Sequence, residues 1–171
     1  MVQIQRPREK ELFDKKEKIV VPYRATKNKF AYDNCQYYND GGDIRIIVIN
    51  DDKYNVKYVI SILNSKLMNF YYSFIGRKKG NMYEYFVEPL YRIPIKYTEK
   101  QLQYIQTVDK ILELTNSDDY SNNAVKQQAV KEYENQIDIM VYKLYDLTYQ
   151  EVLTIDPNFS MSEKEYNNYQ I

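Results

Sequence analysis

The sequence predicts an α+β fold: a small, mostly antiparallel sheet domain with one long buried helix, followed by a C-terminal helical hairpin. Three observations carry this. Short apolar runs bounded by turn residues fill the first half of the chain. One long stripe of helical period lies among them, and after Lys96 the pattern becomes helical throughout.

Residues 1–18 are polar and charged, with Pro7 near the start and at most a turn of helix over Glu9–Phe13. Lys18–Tyr23 reads as a strand edged by Pro22. A polar turn follows over Arg24–Lys29, and Phe30–Tyr32 is a short returning strand. Asp40-Gly41-Gly42-Asp43 is a strong turn signal. The continuous apolar run of Arg45–Ile49 predicts a strand covered on both faces.

The central helix is expected over residues 56–75. Val59, Leu63, Leu67, Phe70 and Phe74 form its inward stripe, which Ile60, Ile62, Met68, Tyr71 and Ile75 widen. Asn50, Asp51 and Asp52 are candidates for its N-terminal cap. Gly76 and Gly80 bracket a basic turn of Arg77, Lys78 and Lys79. Met82–Val87 then reads as an aromatic strand, which Pro89 and Pro94 stop while keeping the chain extended.

Beyond Lys96, Thr98 and Gln101 have capping-box spacing for a helix with Leu102, Ile105, Val108 and Leu112 facing inward. Asn116–Asn123 is a polar loop. A second helix runs to about Tyr145 with Val130, Tyr133, Ile137, Val141 and Leu144 on one face. Thr148 and Glu151 make another capping box, for a short helix ending before Pro157. The tail Ser160–Ile171 is polar and expected to fray. The predicted units are therefore 1–97, 98–156 and a polar tail over 157–171.

Composition narrows the chemistry. The 171 residues suffice for a core without disulfides. The single Cys35 fits a reducing, cytoplasmic compartment. With no histidine and one cysteine, a Ser-His-Asp triad, a Cys-His pair and a structural zinc site are all excluded. No apolar run approaches the roughly 20 residues of a membrane span. The zero net charge hides an asymmetry. Residues 1–100 hold 19 basic against 12 acidic side chains, a net of +7, and residues 101–171 hold 5 against 12, a net of −7. Only the first part is suited to a polyanion.

Catalytic strings fail on context. Asp156-Pro157-Asn158-Phe159 lacks the second proline of the adenine methyltransferase signature and follows a helix rather than a strand. Asp14 and Glu17 lie beside Lys16 and Lys18, but no strand holds them as a nuclease site would need. Gly76–Gly80 lacks the spacing of a phosphate loop. Binding residues remain: Arg24, Lys27, Asn28 and Lys29 on the first polar turn, and Arg77, Lys78, Lys79 and Asn81 on the second. Cations on turns neutralise phosphates, and Arg and Asn have the donors that fit guanine and adenine edges. Two ordinary solvated turns would contain the same residues. Tyr23, Tyr37 and Tyr38 are read as core or rim packing in preference to contact with bases or sugars, and Asn64 and Ser65 as hydrogen-bonding to a neighbouring strand or loop in preference to contacting DNA. Asp138 and Tyr142, four apart on one face, are read as serving helix packing.

Several strings together resemble a known family: Ile4-Gln5-Arg6-Pro7, Lys18-Ile19-Val20-Val21-Pro22-Tyr23-Arg24, Phe30-Ala31-Tyr32-Asp33, Ile62-Leu63-Asn64-Ser65-Lys66-Leu67 and Ile93-Pro94-Ile95. Gln136–Thr148 looks like its closing segment, with Asp146 where glycine is usual. The chain, over residues 2 to about 156, resembles the TaqI-like C-terminal specificity domain of type II and IIG restriction–modification enzymes and adenine-specific DNA methyltransferases. The resemblance implies a C-terminal fragment that selects a DNA sequence, with both basic turns contacting double-stranded DNA. It implies no cofactor in this chain. S-adenosylmethionine, and magnesium if the parent cleaves, would bind the separate catalytic methyltransferase/nuclease domain. The rival expectations are a domain of a type I specificity subunit and a protein-interaction module whose acidic hairpin docks a partner.

Overall fold

β1 (Lys18–Pro22) is the middle strand of a three-stranded antiparallel sheet, between β3 (Ala31–Asp33) and β4 (Ile44–Ile47). The computed structural model describes residues 14–37 and 42–171. The Ile4–Pro7 string, the Glu9–Phe13 turn, Tyr38 and the first two residues of the Asp40–Asp43 turn lie outside the described residues. Alternation along β1 sends Ile19 and Val21 into the core. β4 is not the doubly covered strand its apolar run predicts. It lies at a sheet edge, and all four of its residues are half-exposed. Lys18 and Asp33 are direct register partners, both buried, with Nζ 2.8 Å from Oδ2. Burial opposes the Asp33 charge, yet the ammonium and the Cys35 N–H together hold its carboxyl below the ordinary range.

A single residue, Tyr23, carries the chain from β1 into a second sheet. Here β2 (Arg24–Ala25) and β5 (Arg77–Lys79) flank β6 (Met82–Glu84), again antiparallel. The expected basic turn is thus a strand, and only Gly80 and Asn81 form the loop of a tight hairpin. Gly80 takes φ +62° as the first loop residue, where such turns favour glycine.

The long apolar stripe is two helices, α1 (Val56–Asn64) and α2 (Lys66–Ile75), and not one. The break is at Ser65, whose backbone is extended (φ −63°, ψ 155°). Its hydroxyl accepts the Met68 N–H at 3.2 Å and donates to the Ile62 carbonyl at 2.7 Å. Ser65 closes one helix and caps the next. Asn64 sits beside the break and trades two hydrogen bonds with the backbone of Phe30, at 2.9 and 2.8 Å. Asn55, not the Asn50–Asp52 group, caps α1 by accepting the Lys57 N–H. The stripe also ends early, since Phe74 is exposed.

β6 stops at Glu84, short of the expected Val87, and the chain turns into α3 (Val87–Tyr91). Pro89 does not keep this segment extended. It occupies the first turn of α3, where a missing N–H breaks no helical bond.

α4 (Gln101–Thr115) opens without the expected capping box. The Gln101 side chain is used elsewhere, donating to the Lys53 carbonyl at 2.6 Å and accepting the Asn55 N–H at 2.9 Å. Tyr104, Thr107 and Val108 face inward, whereas Leu102 is exposed, because the buried face is shifted from the predicted one. A 3-10 turn over Tyr120–Asn122 leads into α5 (Ala124–Leu144). Its end is a Schellman motif: Leu147 N–H donates to the Tyr142 carbonyl and Asp146 N–H to that of Lys143. Asp146 has φ +57°, the left-handed conformation for which glycine is the usual residue.

The Thr148–Glu151 capping box opens α6 (Tyr149–Ile155) as expected. The tail does not fray into solvent. A second capping box, Ser162 with Glu165, starts α7 (Glu163–Asn168), and Tyr166 is buried against Tyr149 and Phe159.

The main core runs without a break from Ile19 and Val21 through Tyr58 and Ile62 to Tyr104 and Val141. α1 lies between the first sheet and the hairpin, and α2 carries the base of the second sheet. Tyr72 on α2 stacks on Tyr85 at 4.8 Å and donates to the Glu84 carbonyl at 3.0 Å.

Candidate nucleic-acid interface

Directly paired residues of an antiparallel sheet share a face, and neighbours along a strand alternate. The second sheet therefore has two faces that can be read from its register. Ala25, Tyr83 and Lys78 form one row; Arg24, Glu84 and Arg77 form the next, on the opposite face. Ala25 is buried, and Tyr83 meets Tyr72 edge-on at 6.0 Å, so the first row faces the core. The second row faces outward, joined by Lys79 and Met82.

Glu84 is only 3% exposed although it lies in the outer row. Two guanidinium groups cover it. Arg24 donates from Nε and Nη2 to Oε1 at 2.9 and 2.7 Å, and Arg77 Nε lies 3.3 Å from Oε2. The Arg24 hydrogen bond, with the charges of both arginines behind it, holds the Glu84 carboxyl below its ordinary range. The same hydrogen bond raises the pKa of Arg24.

Aromatic rings extend the row on both sides. The Arg24 guanidinium lies 5.0 Å from the Tyr23 ring, and Arg45 lies 4.6 Å from the same ring. Tyr23 meets Phe86 edge-on at 5.5 Å, and Arg77 lies 5.7 Å from the Phe86 ring. Arg45, Tyr23, Arg24, Glu84, Arg77 and Phe86 thus form one continuous cluster. Three guanidinium charges against one carboxylate leave it doubly positive. Aromatic rings at these distances favour the charged groups by cation–π attraction.

Close backbone packing fixes the cluster in place. A Cβ at Gly76 would come within 2.4 Å of the Tyr72 ring, so glycine is what lets α2 turn directly into β5. Tyr85 N–H donates to the Tyr23 carbonyl at 2.8 Å, tying β6 to the point where the two sheets join.

The eight residues singled out in the sequence are sorted by this geometry. Arg24 and Arg77, 53 positions apart, come together on Glu84. Lys79 and Asn81 are exposed on the same hairpin, while Lys78 points to the other face, over the Tyr83 ring at 5.3 Å. Lys27 and Lys29 are exposed on the loop before β3. Asn28, expected to read a base, is instead an internal tie, only 6% exposed. Its Nδ2 donates to the Leu63 carbonyl at 2.7 Å, its Oδ1 accepts the Tyr85 hydroxyl at 2.9 Å, and its own N–H donates to Asn69. Sequence reasoning missed Glu84, Arg45 and Phe86, and for Tyr23 favoured packing over contact with bases or sugars. The available signal was the alternation of Met82, Glu84 and Phe86, which puts one acid on the face opposite Tyr83 and Tyr85, between two basic segments.

Among the described residues, no group of three or more His, Cys, Asp or Glu side chains could hold a metal ion. No described helix is long and apolar enough to cross a membrane. No curated protein matches the sequence. A family match does exist, over residues 2–95, and the helices after that point lie outside it. The matched span contains both sheets, α1 to α3 and the whole arginine cluster, and by that match the chain belongs to the family of TaqI-like C-terminal specificity domains.

Proposed function

We propose that this chain is a sequence-specific DNA target-recognition domain, from the C-terminal part of a cytoplasmic type II or IIG restriction–modification enzyme acting on adenine. The observation that carries the reading is the outer row of the second sheet, where Arg24 is hydrogen-bonded and Arg77 ion-paired to one buried carboxylate with Arg45 alongside. A preformed cationic surface of this kind suits the phosphate backbone of a duplex, and guanidinium groups held at fixed angles suit base edges. The partner is double-stranded DNA. Residues 1–97 carry the reading surface, and the acidic hairpin over 98–156 packs behind it and towards the catalytic methyltransferase/nuclease domain. Methyl transfer from S-adenosylmethionine, and any magnesium-dependent cleavage, belong to that domain.

Affinity comes largely from released counterions, so it falls steeply with salt. The test is a gel shift of the chain on a random duplex pool at rising salt, with the triple variant Arg24→Ala, Arg45→Ala, Arg77→Ala alongside. Three results support the reading: retention at low salt, a log–log salt slope of several units, and a variant slope flattened by about 0.9 for each phosphate it no longer neutralises. A wild-type chain that retains no duplex at low salt refutes it and favours the protein-interaction alternative.

A further inference from the structure

The two arginines that share Glu84 are not equivalent. Arg24 spends the Nε–Nη2 edge of its guanidinium on Oε1. Arg77 approaches Oε2 through Nε, and among the described residues its two terminal nitrogens make no hydrogen bond. Its side chain is 71% exposed, against 39% for Arg24. Three restraints set its direction: the carboxylate behind Nε, the Phe86 ring at 5.7 Å, and a backbone pinned by strand pairing to Glu84. An arginine ion-paired through Nε, with neither Nη hydrogen-bonded among the described residues, keeps both Nη groups available as a fork for two adjacent acceptors.

We infer that Arg77 is the base-reading arginine of this site, presenting Nη1 and Nη2 to the O6 and N7 acceptors of one guanine in the major groove, and that Glu84 is the positioning residue that aims it. This rests on the DNA-recognition reading above. The two oxygens of a phosphate would accept the same fork. The base edge is favoured because fixed aim matters there, whereas a phosphate is served by any mobile cation, and Lys79 on the same hairpin and Lys27 and Lys29 on the loop before β3 stand exposed for that task. Glu84 itself is too well covered to touch DNA.

The experiment selects bound duplexes from a random pool with the full chain. It then measures binding to a selected duplex and to versions carrying 7-deazaguanine, which lacks N7, at each invariant guanine. Arg77→Lys keeps the charge and Glu84→Gln keeps the shape; circular dichroism melts confirm that both fold. The expected result is one guanine at which the analogue weakens wild-type binding about tenfold or more, in line with the discrimination of a bidentate pair. Arg77→Lys shows no more than about a twofold further effect of the analogue at that position while keeping its affinity for unselected duplex within about threefold. Glu84→Gln loses part of the discrimination at the same guanine. A uniform loss in Arg77→Lys across all sequences, with the analogue pattern unchanged, makes Arg77 a phosphate ligand and overturns the inference. Intact discrimination in Glu84→Gln removes its positioning role. A wild-type chain that binds no duplex overturns the parent reading instead.

Discussion

Asp138, midway along α5, accepts the backbone N–H of Lys66, the first residue of α2, at 2.8 Å. The same carboxylate lies 3.6 Å from the Lys66 ammonium, which also holds Asp156 at 2.7 Å. This joint fastens the helical hairpin to the helix that carries the second sheet. Burial, with Asp156 and Glu134 nearby, pushes the Asp138 carboxyl up to about 6, against the pull of Lys66. A carboxyl whose folded pKa exceeds its unfolded value favours folding in its protonated form. That contribution is complete below about pH 4 and is lost as the pH rises through about 6. The urea-unfolding free energy of wild type minus that of Asp138→Asn should therefore fall between pH 4 and pH 7, by at most about 3 kcal/mol. A flat difference curve would show that Asp138 titrates as in the unfolded chain.

Asn28 belongs to the scaffold. Asn28→Ala strands the Leu63 carbonyl and the Tyr85 hydroxyl in the core, and each unpaired group costs about 1–3 kcal/mol. The urea midpoint should drop accordingly. Among molecules that remain folded, base preference should be that of wild type, measured by competition between selected and unselected duplexes.

Gly76→Ala tests the junction of α2 and β5. The backbone there (φ −77°) suits alanine, so the cost is purely steric, from a methyl forced into the Tyr72 ring and to within 2.8 Å of the Tyr72 carbonyl oxygen. A loss of about 1–3 kcal/mol is expected, as for other overpacked sites. The companion Tyr72→Leu, Gly76→Ala should lose less than the sum of the two single variants, because the ring is gone, while a residual cost remains from the carbonyl of residue 72.

Tyr166→Ala tests whether the last helix is a working part of the fold. The ring is buried, its hydroxyl donates to the Leu147 carbonyl at 2.8 Å, and Lys143 Nζ lies 4.0 Å from the ring centroid. Truncation should cost about 3 kcal/mol, the scale for a large core aromatic, and should expose α6 and α7 to limited proteolysis. An unchanged melting temperature would return the tail to the status of a solvent-exposed end.

The α+β class, the helical hairpin and the Thr148–Glu151 box were legible because each is written in local spacing. The breaks were not. Ser65 lies inside an unbroken apolar stripe, and what stops the helix is a hydroxyl choosing Met68 N–H, together with Asn64 bonding to Phe30, a partner 34 positions away. The tail looked polar because its one fully buried ring, Tyr166, and its partly buried Met161, Tyr169 and Ile171 are scattered among charged and amide residues. The site was half legible. Both basic segments could be found by charge, but their meeting on Glu84 depends on a register that pairs residue 84 with 24 and 77. Asn28 was misjudged for the same reason: a polar residue between two lysines looks exposed until its distant partners are known.

Tyr23 alone separates β1 from β2, with its N–H bonded to the Asp43 carbonyl at 2.6 Å and its carbonyl to the Tyr85 N–H at 2.8 Å. A link one residue long, anchored at both ends, leaves the two sheets no slack to slide past each other. On the proposed reading, the surface that meets the duplex is set before encounter, and fitting becomes the task of the nucleic acid. Targets with pliant steps beside the contacted bases would then be favoured over stiff ones that present identical base edges.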